Sequence, residues 1–249
     1  MITAPAFSLG TALTPKTTVE LAVIIPTYNE EENIGAVLDE WLGVLRTLSD
    51  RFLILVINDG SRDRTASIVE TIAAQNPEVI LWKKENHGHG ITCRMGYEQA
   101  LAIGAPWIFQ IDSDGQCDSR FFPELWANRE TADVLYGIRV SRDDGILRTL
   151  TSWFCCWGTF LWTGRYLRDP NVPYRLMRCD ALARALKRIP DDFHLYNVAL
   201  TLALKRDSAL RWQYRSIHFR NRPQGISSTN IPAVVRSGLR MLADLKRVQ

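Results

Sequence analysis

Apolar residues in this chain come in short runs that stop abruptly at polar clusters. Leu21-Ala22-Val23-Ile24-Ile25 ends at Pro26-Thr27-Tyr28-Asn29-Glu30. Phe52 to Ile57 stops at Asn58-Asp59-Gly60-Ser61, and Trp107 to Ile111 runs into Asp112-Ser113-Asp114-Gly115-Gln116. Val79 to Trp82 and Val134 to Tyr136 are further runs of the same kind. Such runs, bounded by turn residues, read as buried strands. Between them, apolar residues recur at helical spacing. A helix of about 18 residues after Glu30 would bury Ile34, Val37, Leu38, Trp41 and Leu45. Others would carry Ile68, Val69 and Ile72, span Met95 to Ile103, and lie near Arg120 to Asn128. Strands alternating with helices predict a parallel, doubly wound α/β sheet, whose ligands bind at the carboxyl ends of the strands.

Beyond about residue 140 the alternation breaks down. Residues 147–163 are apolar and carry Trp153, Trp157 and Trp162, with Leu147, Leu150, Phe154, Trp157 and Leu161 on one helical face. This stretch either seeks a membrane interface, where tryptophan is favoured, or packs as a core helix or dimer contact. Arg168 to Arg175 reads as a proline-stiffened loop. Helices follow over Ala181 to Lys187 and Phe193 to Lys205, then a strand over Leu210 to His218. The last helix, Ile231 to about Lys246, is basic and amphipathic, suited to an anionic membrane surface or to plain solvation of its charged face.

Composition narrows the setting. A length of 249 residues with 46% hydrophobic residues supports one large domain or two small ones. The net charge of +3 is too small to indicate nucleic acid as a partner. Five cysteines without metal-ligand spacing fit reduced thiols in the cytoplasm. No signal peptide is expected at the start, and no apolar run reaches the roughly 20 residues of a membrane span. Residues 1 to about 18 are expected to form a loose tail.

The chemistry concentrates at the strand ends. Side chains alternate along an extended backbone, so Asp112, Asp114 and Gln116 would share one side of a strand end. Their oxygens suit a hard divalent cation, Mg²⁺ or Mn²⁺, of the kind that carries nucleotide phosphates. Asp59 and the Pro26/Tyr28/Glu30 group would sit at neighbouring ends. His87 and His89 lack the further ligands of a zinc site. Asp191 or Asp192, beside His194, would either serve as a base or cap a helix, and the cap is favoured. Arg139, Arg148, Arg175 and Arg222 are candidate phosphate contacts.

These motifs, in this order and spacing, resemble the family 2 glycosyltransferases of the GT-A fold, and within them the dolichyl- or polyprenyl-phosphate hexosyltransferases. The resemblance spans residues 21 to about 228. It rests on Ile24 to Asn33, on Asn58-Asp59-Gly60-Ser61-x-Asp63-x-Thr65, and on Asn86-x-Gly88-x-Gly90 with Gly96 and Ala100. It rests further on Asp112-Ser113-Asp114-Gly115-Gln116, Gly137-Ile138-Arg139, and Arg222-x-x-Gly225-x-Ser227. It implies a mostly parallel sheet flanked by helices, with a nucleotide-sugar-binding part over 19–140 and an acceptor- and membrane-facing part over 141–249. Pro26, Tyr28 and Glu30 would contact the nucleoside, and Ile57 and Asp59 would hold the base or ribose. Asp112 and Ser113 would face the ribose and sugar, and Asp114 and Gln116 would ligate the metal. Asp112, Asp114, Arg139 and Arg222 would take part in transfer, the arginines at the acceptor phosphate.

The implied reaction moves a hexose from a GDP- or UDP-sugar to a polyprenyl phosphate, at the cytoplasmic face of a membrane that the protein touches peripherally. Two other readings stand beside it: a sugar hydroxyl as acceptor, and a nucleotide-sugar-binding module without catalysis. The chain departs from the family pattern in three places. Asn58 replaces the first acid of a paired Asp-Asp, Val172-Pro173-Tyr174-Arg175 replaces a small-Gly-Phe-Arg segment, and Ser228 stands where a lysine is common.

Overall fold

The computed structural model describes residues 18–142, 160, 164, 167–191, 193, 196–221 and 247–248. Several sequence-based expectations fall outside them: most of the tail, Arg148 and the three tryptophans of the 147–163 stretch, Asp192, His194, the Arg222 to Ser228 loop and the last amphipathic helix.

Four strands form the parallel half of one sheet: β1 (Leu21–Thr27), β2 (Phe52–Asp59), β3 (Val79–Lys84) and β4 (Trp107–Gln110). Their crossovers are α1 (Ile34–Leu48), α2 (Thr65–Gln75) and α3 (His89–Ile103). α4 (Phe122–Ala127) follows β4, and β5 (Val134–Arg142) extends well beyond the expected three residues. The remaining elements are β6 (Arg175–Arg178), α5 (Cys179–Leu186), α6 (Tyr196–Arg206) and β7 (Trp212–Phe219).

Among the described residues, seven strands lie in the order β3-β2-β1-β4-β6-β5-β7. Pairing is parallel from β3 to β4 and again between β5 and β7. The sheet is not wholly parallel, because β6 runs antiparallel to both β4 and β5. β6 is a correction to the sequence reading, which placed Arg175 at the end of a loop. Its four residues, Arg-Leu-Met-Arg, are too few and too charged to announce a central strand.

β1 and β2 are buried along their whole length, as inner strands covered on both faces must be. α1 buries the five predicted residues and Leu42. On one side of the sheet Trp41, Phe109, Phe122 and Tyr174 form an aromatic cluster. The ring centroids of Phe109 lie 5.4, 4.5 and 5.0 Å from those of Trp41, Phe122 and Tyr174. On α3, Gly96 lets the helix approach the sheet: a Cβ there would stand 2.8 Å from Ile57 Cδ1.

Arg175 is a further correction. Its side chain is fully buried, not offered to a phosphate. The guanidinium donates to the carbonyls of Val172 and Asn197 and to Thr201 Oγ1, and lies over the Tyr136 ring. Among the described residues, no helix is long and apolar enough to cross a membrane.

Candidate active site

The parallel strands all end on one edge, and the loops that leave them are tied to one another. After β1, the Asn29 backbone takes a left-handed conformation with φ of 51°. Its N–H donates to Ser61 Oγ at 3.0 Å, and its side-chain oxygen accepts from Arg62 N–H at 2.9 Å. The Glu30 N–H donates to Thr65 Oγ1 at 2.8 Å, and the Glu31 N–H to Asp63 at 3.1 Å. Asn58 accepts the Ser61 N–H at 3.0 Å, closing the turn after β2. This bond needs one acceptor oxygen and no charge, so asparagine serves at this departure from the family pattern.

Asp59 ties the third loop to the second. One of its oxygens accepts from His87 N–H and the other from Gly88 N–H, each at 2.9 Å. Lys84, at the end of β3, forms an ion pair with it. Both side chains are nearly fully buried. Burial pushes the Asp59 carboxyl up, but the hydrogen bonds from Lys84 and the loop outweigh it and hold the group below its ordinary value. The apolar run ends at Trp82, two residues before Lys84, so the hydrophobic pattern does not mark this lysine.

β4 ends at Gln110, paired with Ile24 on one side and Arg175 on the other. The chain continues beside β1, where the Ile111 N–H donates to Ile24 O at 3.2 Å and Ser113 Oγ to Pro26 O at 3.1 Å. It then turns at Gly115, whose φ is 77°. A turn, not strand alternation, therefore presents the acids. Asp112 and Asp114 line the cleft; Gln116 is not part of the lining, and its Nε2 donates to Arg220 O at 3.0 Å.

The resulting cleft has a volume of about 400 Å³ and is lined by Pro26, Tyr28, Glu30, Asp59, Asp112, Ser113 and Asp114, with Thr27, Asn86, Gly88, His89 and Thr92. Every predicted cleft residue but Ile57 and Gln116 is thus brought to one place. Ile57 is fully buried, packed beneath α3. Tyr28 is 43% exposed, an aromatic face open at the rim. Asp112 Oδ1 is buried with no hydrogen-bond partner. Burial raises the Asp112 carboxyl, against the pull of His89, Arg175 and Arg139. His89 opens onto the cleft, with Nε2 3.4 Å from Cys93 Sγ. Cys93, Asp112 and Asp59 hold the imidazole above its ordinary value.

Arg139 lies apart from the cleft lining, in a bidentate pair with Asp169 and over the Phe219 ring at 5.1 Å. Asp191 pairs with Arg94 of α3 at 2.7 Å. Among the described residues no group of three or more His, Cys, Asp or Glu side chains gathers as a metal cage. The carboxylates of Asp112, one oxygen of which is buried and unsatisfied, and Asp114 nevertheless suit a cation whose remaining ligands come from a bound diphosphate.

The model of glycosyl transferase family 2 matches residues 22–192. The chain belongs to that family. Among its family 2 relatives, the undecaprenyl-phosphate mannosyltransferase of Micrococcus luteus is 29% identical over 170 residues, 66% of this chain and 68% of the relative. The undecaprenyl-phosphate 4-deoxy-4-formamido-L-arabinose transferase of Pectobacterium atrosepticum is 29% identical over 53% of this chain, and the match spans only 40% of that relative's length.

Solved structures share the fold at low identity. Glucosyl-3-phosphoglycerate synthase from Mycobacterium tuberculosis, in complex with Mn²⁺ and UDP-glucose, aligns with a TM-score of 0.66 at 16% identity. The alignment covers 92% of this chain and 79% of that one. Mannosyl-3-phosphoglycerate synthase from Rubrobacter xylanophilus gives 0.66 at 15%, over 93% and 76%. The fold is that of the GT-A glycosyltransferases, a mostly parallel seven-stranded sheet flanked by helices.

Proposed function

We propose that this glycosyltransferase moves a hexose from a nucleoside diphosphate sugar to a polyprenyl phosphate, by in-line attack with inversion at the anomeric carbon. The observation that carries the reading is the convergence of Tyr28, Glu30, Asp59, Asp112, Ser113 and Asp114 on one cleft at the strand ends. The undecaprenyl-phosphate transferases among the relatives support the acceptor class.

In this reading Tyr28 offers its ring and Glu30 a carboxylate to the nucleoside. Asp59 holds the glycine loop against the ribose, and Asp112 and Ser113 face the ribose and sugar. Asp114 and the oxygen of Gln116 would hold a divalent cation, Mg²⁺ or Mn²⁺. Such a cation neutralises charge on the diphosphate leaving group. An acceptor phosphate is already nucleophilic at neutral pH and needs no strong base. Arg222 would bind that phosphate, with Arg139 beside it once released from Asp169. The tryptophan-rich stretch 147–163 would supply peripheral membrane contact.

The pairing of Arg139 with Asp169 favours a second reading, in which the donor is the same but the acceptor is a sugar hydroxyl. Radiolabelled donor, offered with polyprenyl phosphate or with a water-soluble saccharide and followed by lipid extraction, separates the two. Label in the organic phase supports the first reading. Label carried only by the saccharide ends it.

A further inference from the structure

Four side chains form a line of hydrogen bonds from the core to the cleft wall. Tyr97 O–H donates to Gln110 Oε1. Gln110 Nε2 lies 3.7 Å from Cys93 Sγ, and Cys93 Sγ lies 3.4 Å from His89 Nε2. Tyr97, Gln110 and Cys93 are completely buried, and only His89 reaches the cleft.

The buried end fixes the direction of the line. With Gln110 Oε1 occupied by the tyrosine, the amide presents N–H to the sulfur. An amide N–H cannot accept, so the thiol proton turns to His89 Nε2. A neutral His89 then carries its proton on Nδ1. A cationic His89 donates from Nε2 to the sulfur and still carries a proton on Nδ1. In both states the ring keeps an N–H donor that the line has not used.

The charges around the cleft say what that donor meets. The side chains lining it include the carboxylates of Glu30, Asp59, Asp112 and Asp114, and His89 is the basic side chain among them. Lys84 is already paired with Asp59. An anionic diphosphate entering among these carboxylates gains from an N–H donor of the protein as well as from a cation.

We propose that His89 Nδ1–H is a direct contact for the diphosphate of the donor nucleotide, and that Cys93 and Gln110 are positioning residues that hold it in that protonation pattern. The inference rests on the nucleoside diphosphate reading of the cleft.

Titration calorimetry with UDP, GDP and the bare nucleosides, in Mn²⁺, tests it on the full chain. His89→Ala weakens diphosphate binding by about tenfold or more, as expected for losing a hydrogen bond to a charged group, and leaves nucleoside binding unchanged. His89→Asn, whose amide N–H takes the place of Nδ1–H, restores most of that affinity, whereas His89→Gln does not. Cys93→Ser behaves like wild type and Cys93→Ala weakens binding several-fold, with melting curves confirming that both are folded. Equal diphosphate affinity in wild type and His89→Ala overturns the contact while leaving the donor site standing, and failure of His89→Asn to rescue overturns the Nδ1 assignment. A wild-type protein that binds nucleosides but neither diphosphate overturns the donor-site reading and this inference with it.

Discussion

Gln116 and Arg220 exchange two hydrogen bonds across 104 residues of chain. Gln116 Nε2 donates to Arg220 O at 3.0 Å, and the Arg220 N–H donates to Gln116 O at 3.1 Å. The Arg220 guanidinium also reaches both oxygens of Glu40, at 2.8 and 3.0 Å, and Asp118 at 2.7 Å. One residue therefore fastens the end of β7, α1 and the acidic turn that presents Asp114.

Arg220→Ala removes three charged hydrogen bonds from partly shielded partners. Each such bond contributes roughly 1.5–3 kcal/mol where water is excluded, and less at the solvent side. The expected outcome is a loss of about 1–3 kcal/mol of unfolding free energy, seen as a lower urea midpoint, together with weaker Mn²⁺-dependent nucleotide binding because the acidic turn loosens. Denaturation and calorimetry on the same preparation check both. Unchanged stability would remove the clasp from the account.

Asp114→Ala should abolish transfer and metal-dependent donor binding while leaving the fold intact, since its side chain lines an open cleft. The measurement is donor binding with and without EDTA, beside a melting curve. Full transfer in EDTA would refute a metal role for Asp114.

Asp59 and Lys84 form a buried pair, so their single and double substitutions separate folding from binding. Asp59→Ala leaves the ammonium unpaired among buried groups and should cost about 3–5 kcal/mol of stability. Adding Lys84→Met should restore most of it, because no charge then remains to be solvated. Donor affinity should stay low in the double variant, whose glycine loop still lacks its anchor at His87 and Gly88. Recovery of both properties together would make Asp59 purely structural.

Acid should attack this region through Asp118. Burial raises its carboxyl, but hydrogen bonds from Arg120 and Arg220 outweigh that effect and hold it at about 2. A folded value below the ordinary one contributes stability that is full above the unfolded value, near 3.9, and is lost as pH falls through the folded value. The urea midpoint of wild type should therefore decline between about pH 4 and pH 2. Asp118→Asn should start lower at neutral pH and decline less in that window. Equal slopes for the two proteins would remove Asp118 from the acid response.

The sequence by itself determined the elements whose signals are local. The apolar runs and the helical spacing of Ile34, Val37, Leu38, Trp41 and Leu45 decide strand and helix within ten or so residues, because burial on one face is a local demand. Acids directly after apolar runs could only lie at strand ends, so the cleft residues around Asp59, Asp112 and Asp114 were legible too. Tertiary structure alone decided what depends on distant partners. β6 becomes a strand by pairing antiparallel with both β4 and β5. Arg175 is buried because carbonyls of residues 172 and 197 converge on it. Gln116 is fastened by its side-chain N–H to the carbonyl of Arg220, 104 residues on. Lys84 and Cys93 likewise acquire their roles only from Asp59 and His89, which the fold sets beside them. A hydrogen bond or ion pair depends on distance in space, and separation along the chain does not record it.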